Sequence, residues 1–142
     1  MKIVVTLLVV LLLLSCSGSD KNVEKSIIRD ILQQIEDSFN RTEDLDRIMR
    51  FYHRDFLHKG GNIYYWEGEW HDRMVLYQRL SIEIISDIEV INEYATARLK
   101  ITFTDVDGRE TMYIDPETFG DMSYFLYEPH NDWKIIGNGL LE

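Results

Sequence analysis

Asp44-Leu45-Asp46-Arg47-Ile48-Met49-Arg50-Phe51-Tyr52-His53-Arg54-Asp55-Phe56-Leu57-His58-Lys59 changes its hydrophobic period halfway along, and that change decides how the rest of the chain is read. Leu45, Ile48, Met49 and Tyr52 recur at helical spacing. Immediately afterwards Phe56 and His58 fall on one side of an extended segment, and Leu57 and Lys59 fall on the other. An amphipathic helix that runs straight into a strand is laid across the sheet it feeds. Residues around the junction are therefore expected at the rim or wall of an enclosed pocket.

Upstream, a helix is expected from about Val23, with Ile27, Ile28, Ile31, Leu32, Ile35 and Phe39 forming one broad apolar face. Asn40-Arg41 should break it. Thr42 then serves as N-cap of the second helix, with Glu43 and Asp44 in the first turn, where the helix dipole favours carboxylates. Downstream, Gly60-Gly61-Asn62 signals a turn and Ile63 to Trp66 a short extended approach. Glu67 to Leu80 reads as a third helix presenting Trp70, Met74 and Tyr77.

Strands follow. Ile82 to Ile85 and Ile88 to Ile91 are β-rich and separated by Ser86-Asp87, read as a bulge in one long strand. From Tyr94 to Thr104 the alternation is nearly complete, with Ala95, Ala97, Leu99, Ile101 and Phe103 opposite Thr96, Arg98, Lys100 and Thr102. Such a strand has one buried face and one wet one. Asp107-Gly108 signals a two-residue hairpin to a strand over Arg109 to Ile114. A loop over Asp115 to Asp121, a strand from Met122 to Tyr127, a turn at Glu128 to Asp132 and a last strand from Trp133 to Gly137 complete the order. Helices segregated from hairpin-linked strands mean α+β: three N-terminal helices packed on a strongly curved, mostly antiparallel sheet.

The chain opens with Met1-Lys2 and a run from Ile3 to Leu14 that is apolar except for Thr6. It stops short of the roughly 20 apolar residues a membrane span needs. Residues 1–15 are read as a signal peptide. Leu13-Leu14-Ser15-Cys16 resembles the bacterial lipobox, which implies lipidation of Cys16, a polar tether over 16–22 and an anchor in a cell-envelope membrane, either the outer membrane or a periplasm-facing one in a Gram-negative cell. Cys16 is the only cysteine, so no intrachain disulfide is available. The remaining length suits one domain, residues 23–142. The full chain carries 15 Lys+Arg against 25 Asp+Glu. That acidic balance, with no basic stripe, argues against a nucleic-acid partner.

Asp44-Leu45-Asp46, Phe51-Tyr52-His53-Arg54-Asp55-Phe56 and the closing Asp132-Trp133-Lys134-Ile135-Ile136 resemble motifs of the nuclear transport factor 2-like superfamily, which includes SnoaL-like proteins and ketosteroid isomerases. The likeness runs from about Val23 to Gly139. It implies a cone-shaped α+β barrel with a conical pocket, often in a homodimer through the sheet face. It implies no particular activity, because one fold hosts many functions.

Within that expectation, His58 shares a strand face with Phe56 and is the foremost candidate base, since a pocket imidazole suits proton transfer near neutral pH. Asp55 is the alternative base. Tyr113 and Tyr124 are candidates to hold a developing oxyanion. Phe56, Trp66, Trp70, Tyr113 and Tyr124 are the candidate ligand-binding residues, because rings with a polar end suit a mostly apolar pocket. No metal is expected, as His53, His58, His71 and Asp72 lack a ligand spacing. Asp105-Val106-Asp107-Gly108 lacks the further acids of a calcium loop. No cofactor motif occurs. Two functions stay open: a non-catalytic, membrane-anchored lipoprotein that binds a small apolar ligand or docks a partner, and a small isomerase, cyclase or dehydratase.

Overall fold

The structure, a computed structural model, describes residues 21–113, 122–128 and 132–138. The leader and Cys16, the loop over Asp115 to Asp121 and most of the 128–132 turn lie outside those residues. Helix α1 spans residues 21–37 and winds on into a π turn at Ser38–Thr42. Its inward stripe of Ile28, Ile31, Leu32, Ile35 and Phe39 is buried, as the periodicity requires. Asn40-Arg41 does not break the helix. The coil widens instead, with the Ser38 hydroxyl donating to the Gln34 carbonyl at 2.6 Å and the Thr42 hydroxyl to the Ser38 carbonyl at 3.0 Å.

That last bond moves the cap of the next helix, because the Thr42 hydroxyl is already engaged. Helix α2 is only Leu45–Met49, and its N-cap is Asp44, whose carboxylate accepts the Arg47 N–H at 3.0 Å. Tyr52, expected inside the helix, has left it for the sheet. It forms an isolated parallel bridge with Ile135, and the His53 N–H donates to the Ile135 carbonyl at 2.8 Å. Tertiary pairing thus ends the helix earlier than its apolar spacing indicates.

Strands β1 (Leu57–His58) and β2 (Gly61–Asn62) form a two-stranded ribbon around the Lys59-Gly60 turn. The next helix, α3, runs over Ile63–Leu76, displaced from the expected Glu67 to Leu80. The Asn62 side chain accepts the Tyr65 N–H at 3.1 Å, so an N-cap sits where the sequence reads as a plain turn. The β-prone Ile63 to Trp66 stretch becomes the first helical turn. At the far end Tyr77 is extended, and Leu80, fully buried, belongs to a strand.

Strand β5 (Tyr94–Thr104) is the spine of a strongly curved antiparallel sheet of six strands among the described residues. One of its edges carries β3 (Arg79–Ile84) and β4 (Glu89–Ile91), and the other carries β6 (Glu110–Tyr113) and β7 (Met122–Glu128). Strand β8 (Asp132–Ile135) extends the sheet beyond β7. Ile84 pairs Leu99 and Glu89 pairs Thr96, so five steps on one strand oppose three on the other. Ser86 fills the resulting bulge, its hydroxyl accepting the Arg98 N–H at 2.9 Å. Ala95, Ala97, Leu99 and Phe103 are buried and Ile101 half-buried, as the alternation requires. The β5–β6 turn is longer than the two-residue hairpin expected. Three residues separate Asp105 from Arg109, with Gly108 at φ +78° and the Asp105 carboxylate accepting the N–H groups of Asp107 and Arg109.

Strand β3 has no strand on its outer edge among the described residues, and α1 supplies the missing pairing. Asn40 donates through Nδ2 to the Leu80 carbonyl at 2.8 Å and accepts the Leu80 N–H at 2.7 Å, while the Glu36 carboxylate accepts the Ile82 N–H at 2.8 Å. Two helix side chains thereby blunt an edge open to further strand addition. Asn40→Ala should lower stability by about 1–2 kcal/mol, the cost of leaving the Leu80 groups without their partner. Urea denaturation of the variant reads this directly, and an unchanged midpoint would show that water replaces Asn40 without loss.

Candidate functional site

The concave side of the sheet closes over an aromatic interior fed by three elements. The residue before β1 and β1 itself contribute Phe56 and His58, which are 4% and 3% exposed, with Leu57 half-buried and Lys59 exposed. This is the expected alternation. The two rings stack at 6.5 Å and 19°, and each meets Trp66 edge-on, at 6.0 and 6.4 Å. From α3, Trp66 and Trp70 point inward one turn apart, both nearly fully buried. The Trp70 indole N–H donates to the Tyr52 hydroxyl at 2.9 Å, and its ring contacts Phe39 and Phe103. His58 is oriented from the chain's end, its Nδ1 accepting the Asn138 N–H at 3.3 Å.

Among the described side chains, Asp55, His58 and Tyr124 do not share one location. Asp55 leaves the junction toward solvent with its side chain 62% exposed and lies 3.6 Å from the Arg54 guanidinium. Tyr124 pairs with Thr96 on the polar face of the sheet, between buried Ser123 and Phe125. Tyr124 therefore shares the sheet face of Thr96, whereas His58 is buried among the interior rings. Tyr113 pairs with Ile101 by its backbone, and its side chain lies outside the described residues. Among the described residues no three His, Cys, Asp or Glu side chains gather to hold a metal. His71, 66% exposed, lies against its neighbour Asp72.

Two residues given no site role from the sequence shape this region. Arg73 is 9% exposed, and its guanidinium lies 5.3, 5.7 and 5.6 Å from the ring centres of Trp66, Trp70 and Phe103. Glu69, one turn earlier, approaches it at 3.3 Å. A cation buried among aromatic faces is held by their quadrupoles as well as by its carboxylate. The signal was present: 66, 70 and 73 follow helical spacing, so the stripe that buries the tryptophans also buries the arginine. The second is His53, whose Nε2 meets the Glu128 carboxylate at 2.6 Å and whose Nδ1 accepts the Asp55 N–H at 3.0 Å. Both ring nitrogens are engaged, and the imidazole ties the α2–β1 junction to the end of β7.

No protein-family model and no curated protein matches this chain. Solved structures do. Bd1075 of Bdellovibrio bacteriovorus matches at TM-score 0.63 and 15% identity over 85% of this chain, which spans 42% of that protein. A nuclear transport factor 2-like superfamily protein of Salmonella enterica serovar Typhimurium matches at TM-score 0.59 and 14% identity, covering 82% of this chain and 89% of that one. A ketosteroid isomerase-like protein of Erwinia carotovora matches at TM-score 0.57 and 14% identity, over 80% and 92%. At such identities a likeness speaks for the fold alone, and the fold of this chain is that of the nuclear transport factor 2-like superfamily.

Proposed function

We propose that this chain is a lipid-anchored envelope protein that works by binding and not by catalysis, with the open face of its sheet as the docking surface for a second copy of itself. The observation that supports the non-catalytic reading is the dispersal of the candidate groups whose side chains are described: the base candidate Asp55 in solvent, the base candidate His58 among interior rings and the oxyanion candidate Tyr124 on the polar sheet face. General acid–base catalysis needs its groups within hydrogen-bond reach of one substrate.

Support for the docking reading comes from the sheet face itself. Ile91, Tyr94 and Leu126 form one register row across β4, β5 and β7, and Ile91 is 65% exposed. Farther along β5, on the same polar parity, a groove of about 270 Å³ crosses β3, β5 and β6, edged by Arg79 and Glu110 and by the Lys100–Glu83 pair at 3.5 Å. Charges of both signs around one groove allow a surface to complement its own copy across a two-fold axis. A second reading keeps the interior for a small apolar ligand, supported by the ring cluster of Phe56, Trp66 and Trp70.

Sedimentation equilibrium should give a dimer, and Tyr94→Glu should weaken it at least about tenfold by placing a charge in the apolar row. A monomer at every concentration would overturn the docking reading. The anchor is tested separately. Cys16→Ala should move the protein from the membrane fraction to the soluble one, since each buried acyl methylene contributes about 0.8 kcal/mol to anchoring. Unchanged partitioning would remove the lipoprotein assignment.

A further inference from the structure

A second cleft lies outside the cone, between α1 and the sheet's last strand. It measures about 220 Å³. Its floor is apolar, made by Ile31 and Trp133, both nearly fully buried, with Ile27 and Phe51 half-buried at its sides. Its walls carry opposite charges: Asp30, beside Gln34, on the helix and Lys134 on β8.

These two charges do not neutralise each other. Asp30 makes no hydrogen bond or ion pair among the described residues. The Lys134 ammonium donates to the Arg50 carbonyl at 2.5 Å, which uses one of its three donors on a neutral acceptor and leaves its charge uncancelled. Helix and strand thus bring an anion and a cation to one cleft whose floor is apolar. The Trp133 indole N–H, which would otherwise compete for an acidic partner, is already bonded to Glu24.

We propose that this cleft binds a small zwitterion: a free amino acid with an apolar side chain, its ammonium on Asp30, its carboxylate on Lys134 and its side chain against Ile27 and Phe51. The charge pattern selects this class. A wholly apolar guest would cover both rim charges without pairing them, at a desolvation cost. A simple amine would satisfy Asp30 but face Lys134, and a simple carboxylate would meet the reverse conflict. The volume, below the roughly 300 Å³ at which drug-sized sites begin, suits a molecule of amino-acid size. The site is independent of the sheet face, so either proposal can fail without the other.

The test is calorimetric titration of the full-length protein with L-leucine and L-phenylalanine, alongside their N-acetyl and carboxamide derivatives. The expected result is saturable binding of the free amino acids and at least about tenfold weaker binding of both blocked forms, because each has lost one charge-assisted contact. Asp30→Asn, an exposed position on α1 whose change leaves the core intact, should weaken binding by a similar factor. Ile27→Trp should abolish it by filling the slot, with the circular dichroism spectrum and melting temperature reporting that the fold persists. No saturable heat at millimolar amino acid, or equal binding of free and blocked forms, or Asp30→Asn binding as the parent does, would each overturn the proposal.

Discussion

Gly137→Ala should destabilise the domain by about 3–5 kcal/mol and lower its melting temperature by roughly 10–20 °C, a large share of the 5–15 kcal/mol that holds a typical domain together. Two causes add. Gly137 sits at φ +76°, a left-handed conformation that costs an L residue about 1–2 kcal/mol. A Cβ there would lie 2.4 Å from the Leu57 carbonyl oxygen and 2.9 Å from the His58 Cβ. The first contact is with backbone, which cannot swing away as a side-chain tip can. Neighbouring bonds fix it further: the Leu57 N–H donates to the Ile136 carbonyl at 3.1 Å, and the Asn138 N–H donates to His58. The chain after β8 therefore clamps β1, and through it His58. Gly108 separates the two causes. It has φ +78° but nothing within 4 Å of its virtual Cβ, so Gly108→Ala should cost only about 1–2 kcal/mol. Equal losses in the two variants, measured by urea denaturation, would show that the clamp on β1 contributes nothing.

The outcome at Gly137 concerns a contact eighty residues long in sequence, and such contacts mark where the chain's own text stops being readable. What is local was legible. The face of α1 from Ile28 to Phe39 and the alternation of β5 follow from spacing within a dozen residues, whereas Asp107-Gly108 marked the β5–β6 turn but not its length. The side of the chain taken by Phe56 and His58 was legible too. The errors arose where local signals competed. Ile63 to Trp66 is β-prone, yet the Asn62 cap turns it into helix, and tertiary packing routinely overrides such weak preferences. Leu80 fits the tail of a helical stripe equally well, until the two bonds from Asn40 hold it in a strand. The candidate site was the least legible part. Met122 to Tyr127 carries apolar or aromatic residues on both parities, so period alone cannot say whether Tyr124 or Phe125 faces the core. Register with β5 decides it, and Tyr124 goes outward. The partnership of His53 with Glu128 is likewise invisible until β7 and the α2–β1 junction are brought side by side.

Phe103→Ala should be the other severe change, costing about 3–5 kcal/mol, because the ring is the hub through which the interior clusters meet. It is 1% exposed, and its centroid lies 5.5 Å from Phe39, 6.0 Å from Trp70 and 5.2 Å from Tyr77. It also forms one of the three faces around the Arg73 guanidinium. Truncation removes the transfer free energy of the ring, opens a void that α1, α3 and β5 line together, and withdraws one aromatic face from a buried cation. The first two effects belong to any core phenylalanine, whereas the third is particular to this fold. Phe103→Leu isolates it, since leucine restores most of the volume but no quadrupole, and a volume-conserving swap ordinarily costs under about 1.5 kcal/mol. The expected order is a moderate loss for leucine and a severe one for alanine. With Arg73→Met as background, the extra penalty for losing the ring face should shrink by about 0.5–1 kcal/mol. Equilibrium unfolding of the four variants closes the cycle, with the denaturant slope checking that the unfolded state is unchanged. A coupling of zero would mean that Glu69 and the two tryptophans hold Arg73 without Phe103. A cost below about 1.5 kcal/mol for Phe103→Ala would mean that the interior collapses around the void, as only a loosely packed cone can.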